Sequence, residues 1–198
     1  MEPVRRITGT ALPLDRSDVD TDQIIPSDWL KRVERTGFGK GLFSEWREDP
    51  NFVMNLPQFD LASIIVAGPN FGTGSSREHA VWALMDYGFR AVISSRFGDI
   101  FSNNSTKSGL VPVRLEPDVV ETILHAVEKN PDTEIIIDVE TLTVLVSNLS
   151  LEASFHVDPF TQQRLLEGWD DIGLTLRSVE EIDRFETTRP SHLPTTNT

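Results

Sequence analysis

Apolar positions cluster unevenly along the chain. Ile7 to Ala11 reads as a strand, after which Pro13, Asp15, Ser17, Asp18, Asp20, Asp22 and Pro26 crowd turn formers together. A connection that long in a compact domain tends to be functional if it is ordered. Asp28 to Arg35 reads as one or two helical turns, followed by a flexible GFGKG (Gly37 to Gly41); Phe38, Phe43, Trp46 and Phe52, in so polar a setting, mark a segment that packs onto something. Leu61 to Ala67 is a continuous apolar run, as expected of a strand covered on both faces. A glycine-rich turn follows, then a helix over Glu78 to Tyr87 stopped by Gly88, and a second short strand over Ala91 to Ser94. Strand, glycine loop, buried helix, strand is a crossover unit of an α/β fold, with its loop at the carboxyl end of the first strand, where open sheets place ligands.

The second half alternates similarly. Ser95 to Gly109 reads as a long polar loop anchored by Phe97, Ile100 and Phe101, and Leu110 to Leu115 as an edge strand because of Pro112. Pro117 opens a helix whose Val119, Val120, Ile123, Leu124 and Val127 share one face, closed by Asn130-Pro131. Glu134 to Val139 and Thr143 to Val146 form a hairpin candidate. Asp158-Pro159 caps a helix through Leu166, and Ser178 to Glu181 is a capping box for another through Phe185. One domain over residues 1–186 results, with 187–198 expected as a disordered tail.

Composition narrows the chemistry. With 198 residues, 38% apolar, the chain can bury a core without staples. It has no cysteine, which removes disulfides, thiolate catalysis, Cys-ligated zinc and any iron–sulfur cluster held by this chain alone. A net charge of −13 without a Lys/Arg run argues against nucleic acid or an anionic membrane as partner. No apolar run approaches the roughly 20 residues of a membrane helix, and no signal-type segment is visible, so the expected location is cytoplasmic.

The glycine loop, FGTGSSRE, fits none of three familiar motifs. GxGxxG fails because Arg77 occupies the third glycine position, the P-loop fails because Ser75 rather than lysine follows Gly74, and GxSxG fails at both serines. What remains is two glycines that turn the backbone sharply, Ser75 and Ser76 at a helix start, and Arg77 beside them. Free N–H groups, two hydroxyls and a guanidinium form a receptor for carboxylate or phosphate. Taken alone, Ser75 reads as an N-cap before it reads as a catalyst; the second serine, Arg77 and the glycine pair shift the weight toward an anion site. As a base toward a carbon-bound proton, a serine needs a strong electrophile on the neighbouring atom.

GPNFGTGSSREHA (Gly68 to Ala80), PLDRSDVDTDQIIP (Pro13 to Pro26) and KRVERTGFGKGLFSEW (Lys31 to Trp46) together resemble the family of 3-isopropylmalate dehydratase small subunits, within the wider aconitase family. The resemblance runs from about Ile7 to about Phe185. It implies a swivelling β/β/α domain, a mixed sheet with flanking helices, and a hydro-lyase of leucine biosynthesis active only with its large subunit. That subunit would carry the [4Fe-4S] cluster, with none bound by this chain, and the substrate would be a small dicarboxylic hydroxy acid. Carried over by position, Ser75 matches the catalytic serine. Ser76, Arg77 and Gly74 would hold a carboxylate, and Asp22 would lie at the site, its alternative being an Asx-turn residue. Trp29, Leu30 and Val33, on the loop over about 26–43 where the family places its substrate-discriminating segment, would give the variable group apolar contact, with Lys31 beside them as a further substrate-binding candidate; Trp29 and Leu30 read equally as core. Lys31, Arg32 and Arg35 leave open a carboxylate-bearing homologue, such as homoaconitate, and citraconate or a methylated analogue is a further rival. A non-catalytic anion-binding module is the rival of another class. His79 reads as a packing residue, and no histidine has metal-ligand spacing. The N-terminal third and the 95–109 segment would face the large subunit and be mobile without it.

Overall fold

The computed structural model describes residues 1–31, 36–75 and 77–190. Among the described residues, eight strands sort into two four-stranded sheets. One is antiparallel, in the order β1 (Arg6–Gly9), β6 (Ile135–Asp138), β7 (Thr143–Val146), β8 (Leu151–Ser154); the other is parallel, in the order β2 (Ala11–Leu14), β3 (Ile64–Ala67), β4 (Ala91–Ser94), β5 (Val111–Arg114). Burial follows that division. β3 and β4 are buried at every position, whereas Ile135 and Ile137, then Val144 and Val146, alternate with half-buried neighbours, as in a sheet covered on one face.

The expected strand over Ile7 to Ala11 is in fact two. Thr10 separates β1, paired with β6, from β2, paired with β3, so one extended segment serves both sheets. Pro13, read above as a turn former, lies inside β2. It is tolerated because β2 is an edge strand, as β5 with its Pro112 is the other edge. The run beginning at Leu61 also starts its strand later: Leu61 is 91% exposed, and pairing begins at Ile64.

The helices are α1 (Thr21–Ile24), α2 (Glu78–Tyr87), α3 (Asp99–Ser108), α4 (Pro117–Lys129), α5 (Pro159–Glu167), α6 (Asp171–Leu176) and α7 (Val179–Thr188). α4 lays Val120, Ile123, Leu124 and Val127 across β2, β3 and β4. α2 packs on α3 and on a 3₁₀ turn at Phe38–Gly41. That turn is the segment expected to be flexible. Instead Phe38, Gly39 and Gly41 are buried, the Gly39 N–H donates to Asp86 Oδ2 at 2.8 Å, and Phe38 meets His79 and Trp82 edgewise or tilted.

The polar loop expected over Ser95 to Gly109 is a second correction, because most of it is α3. Its sequence, DIFSNNSTKS, is poor in strong helix formers, so tertiary contacts carry it. Phe101, Ser105 and Thr106 are buried, Ser105 Oγ donates to the Phe101 carbonyl at 2.8 Å, and Phe101 packs edge-on to Phe71. Ser178 does begin α7, yet its side chain makes no capping bond, and α7 runs on through Thr187 and Thr188. The rest of the expected tail, from 191 to 198, lies outside the described residues. Among the described residues, no helix is long and apolar enough to cross a membrane.

Candidate active site

Two loops leave the carboxyl ends of β2 and β3 side by side and continue the pairing of those strands. The Gly72 and Thr73 N–H groups donate to the Val19 carbonyl at 2.7 and 3.2 Å, Asp20 bridges Thr73 in parallel, and the Thr21 N–H donates to the Thr73 carbonyl at 3.0 Å. On its other side the glycine loop is tied to the β4–α3 connection, where the Phe71 N–H reaches the Arg96 carbonyl at 3.0 Å and the Gly98 N–H reaches the Phe71 carbonyl at 2.9 Å. Gly72 at φ +73° and Gly74 at φ +90° take the left-handed turns that let the chain double back between these supports.

Ser75, exposed, emerges from that turn. Its carbonyl accepts from the buried Thr21 hydroxyl at 2.9 Å and from the Arg77 N–H at 2.8 Å, and the two hydroxyls lie 3.4 Å apart. Arg77 is the N-cap residue of α2, and among the described residues no side chain caps that helix start. Its guanidinium forms an ion pair with Asp22 and touches the Ile25 carbonyl at 3.4 Å. Asp20, not Asp22, takes the turn role: it caps α1 through a reciprocal box with Gln23. Asp22 is thereby free of backbone duty and points its carboxylate at Arg77.

An exposed hydroxyl, a guanidinium and an uncapped helix start thus stand together on an open surface. Clefts of about 240 to about 650 Å³ lie elsewhere, and none of them is lined by Ser75, Asp22 or Arg77. With no cysteine and, among the described residues, no group of three or more His, Asp or Glu placed for a metal, the donor set does not fit an iron–sulfur cluster.

Residues 1–118 match the family model of the aconitase C-terminal domain, and residues 171–198 match that of the C-terminal domain of the 3-isopropylmalate dehydratase small subunit. A 3-isopropylmalate dehydratase small subunit from Frankia alni is 60% identical over 98% of both chains. The chain belongs to the family of 3-isopropylmalate dehydratase small subunits. The Parafrankia member is 60% identical over 99% of this chain and all of its own length, and the Rubrobacter xylanophilus member is 56% identical over 98% of both. The solved 3-isopropylmalate dehydratase (LeuD) of Methanocaldococcus jannaschii superposes with a TM-score of 0.67 at 27% identity, covering 90% of this chain and 99% of its own. The α/β swivel-type fold implied by the resemblance is borne out, with its strands divided between two sheets.

Of the residues singled out for this small-subunit family, Gly74, Ser75, Arg77 and Asp22 are brought together, and Ser76 lies outside the described residues. Trp29 and Leu30, half-buried in a 3₁₀ turn over Ser27–Lys31, sit four and five residues beyond Ile25, whose carbonyl Arg77 touches. The Trp29 ring packs directly over Gly41. Lys31 is exposed and donates to Asp28 Oδ1 at 2.8 Å, a pairing that holds the Asp28 carboxyl below its ordinary value and raises Lys31. Arg32, Val33 and Arg35 lie outside the described residues. His79 packs against Phe38 and Trp82. Thr21, which sequence reasoning passed over, reaches both the carbonyl and the hydroxyl of Ser75; its only signal was a hydroxyl set between two aspartates.

Proposed function

We propose that this chain forms one half of a two-chain active site that isomerises 2-isopropylmalate to 3-isopropylmalate through 2-isopropylmaleate in leucine biosynthesis. The observation that carries this reading is the exposed Ser75 beside the Arg77–Asp22 pair at the carboxyl edge of the parallel sheet. Arg77, oriented by Asp22, holds a substrate carboxylate together with the first N–H groups of α2, Ser76 and the backbone at Gly74. That pairing places the adjacent carbon over Ser75. The Ser75 oxygen, as alkoxide, takes the proton from that carbon, the C–O bond to the neighbouring hydroxyl breaks, and an alkene forms; in the return step water adds at the other carbon and Ser75 gives the proton back. This chain lacks the donors for a [4Fe-4S] cluster; one held by the large subunit would supply Lewis-acid chemistry toward the departing hydroxyl.

Trp29 and Leu30 offer the isopropyl group apolar contact, worth about 2 kcal/mol if fully buried. Lys31 is engaged with Asp28, which favours an apolar substituent over a third carboxylate. An open site and the exposed apolar stripe of Ile172, Leu176, Val179 and Phe185 on α6 and α7 are consistent with a chain that works in a heteromer. A cytoplasmic location belongs to the same reading. Turnover of the reconstituted pair on isopropylmalate, homoaconitate and citraconate tests it: selective conversion of the isopropyl acid is expected, and no advantage for that acid would overturn the substrate assignment.

A further inference from the structure

We infer that Thr21 is a positioning residue for Ser75, a buried hydroxyl whose single proton serves the Ser75 carbonyl while Ser75 is neutral and turns to the Ser75 oxygen when that oxygen is charged. The inference rests on the reading of Ser75 as the base. A threonine hydroxyl has one proton and two lone pairs. A carbonyl only accepts, so the 2.9 Å contact to the Ser75 carbonyl fixes where the Thr21 proton points at rest. One of the two Thr21 lone pairs is then left to face the Ser75 hydroxyl at 3.4 Å, longer than the roughly 2.7–2.8 Å of a full hydroxyl hydrogen bond. This contact draws the Ser75 proton inward and leaves a Ser75 lone pair turned away from Thr21.

Once Ser75 has lost its proton, its oxygen can only accept. Rotation of the Thr21 hydroxyl about its C–O bond, with the exposed Ser75 side chain closing the 3.4 Å gap by roughly 0.7–0.9 Å, then makes a charge-assisted bond. Two features of the site make the exchange inexpensive. The Ser75 carbonyl keeps the Arg77 N–H at 2.8 Å when the Thr21 proton leaves it, so no acceptor is stranded. Thr21 itself is 2% exposed, anchored through its N–H to the Thr73 carbonyl at 3.0 Å and stiff at its branched Cβ, so the donor stays in place. When the alkoxide takes the substrate proton, Ser75 is neutral again and the Thr21 proton returns to the carbonyl.

The test compares Thr21→Val, Thr21→Ser and Ser75→Ala, each assembled with the large subunit. Thr21→Val keeps the shape and removes the hydroxyl. It is expected to lower kcat on the order of 10- to 100-fold with KM within about twofold, and to move the rising limb of the kcat–pH profile to higher pH. Thr21→Ser should recover most of the rate. Wild-type kcat and pH profile in Thr21→Val would overturn the inference, as would a Thr21→Ser variant as slow as Thr21→Val, since that would mark lost packing. Should Thr21→Val not assemble, Thr21→Ala is measured against the same expectations. An active Ser75→Ala would overturn the base assignment itself; an inactive Ser75→Ala beside an unaffected Thr21→Val would overturn the Thr21 inference alone.

Discussion

Gly72→Ala and Gly74→Ala separate what the glycine loop does for stability from what it does for the site. Both glycines have positive φ, +73° and +90°, where an L-residue costs about 1–2 kcal/mol. Their surroundings differ. A Cβ at Gly72 would lie 2.2 Å from Phe101 Cγ, and Phe101 is buried between Phe71 and Phe97, with ring centroids 5.3 and 6.3 Å away, so it has nowhere to retreat. Overpacking there adds about 1–3 kcal/mol. A Cβ at Gly74 would meet nothing closer than Asp20 Cβ at 3.4 Å, an ordinary contact. The expected totals are therefore about 2–5 kcal/mol for Gly72→Ala and about 1–2 for Gly74→Ala. At roughly 2–4 °C per kcal/mol for a chain of this size, calorimetry should show Tm falling by about 4–20 °C and about 2–8 °C respectively. Activity with the large subunit should reveal the second function: Gly74 directly precedes Ser75, and a small misplacement of a reacting group costs up to about 100-fold, so Gly74→Ala should lose far more kcat than its Tm suggests. Equal melting shifts, or a lower Tm for Gly74→Ala, would refute the reasoning.

Arg77→Lys should raise KM about tenfold or more in steady-state assays, because an ammonium cannot hold a carboxylate in two-point fashion or keep the planar pairing with Asp22; unchanged kinetics would remove the role. Leu30→Ala should raise KM for the isopropyl acid by up to about 30-fold without altering Tm, whereas Trp29→Ala should also lower Tm, since the indole covers Gly41. Asp158→Ala should cost about 1 kcal/mol at neutral pH by uncapping α5. The hydrogen bond from Thr161 depresses the Asp158 pKa, so the carboxylate contributes in full above its unfolded value near 3.9 and loses that contribution as pH falls through the lower folded one. Urea titrations of wild type and variant should therefore stay apart at pH 7 and draw together only once pH has fallen below the unfolded carboxylate value of about 3.9 and through the lower folded one.

Elements with a strong local pattern were legible in the chain. Glu78 to Tyr87, Ala91 to Ser94 and the helix opened by Pro117 coincide with α2, β4 and α4 because burial and glycine or proline punctuation agree there. The errors fall where tertiary contact overrides composition. α3 is polar and rich in Asn, Ser and Thr, and its helicity depends on Phe101 and Ser105 meeting partners distant in sequence. Gly37 to Gly41 has the composition of a hinge, yet it is pinned by Asp86 and α2. β8 has four residues and α6 six, too few for a hydrophobic period to show, although Asp170 caps α6 through the Gly173 N–H. At the candidate site, Ser75, Arg77 and Gly74 lie in one motif, and their neighbourhood was readable from it. The Asp20 to Gln23 spacing is that of a capping box, so the role of Asp20 was open to local reading; that Asp22 reaches Arg77 is a product of the β2–β3 register, which no local spacing encodes.

The central claim is that Ser75 moves the carbon-bound proton in a site whose other half is on the large subunit. Deuterium incorporation into the recovered substrate, measured in D₂O with wild-type and Ser75→Ala complexes of equal subunit affinity and equal cluster absorbance, tests it most directly. The account predicts exchange at the carbon beside the bound carboxylate for the wild-type complex and none above background for Ser75→Ala. Exchange at the wild-type rate in the Ser75→Ala complex would contradict it.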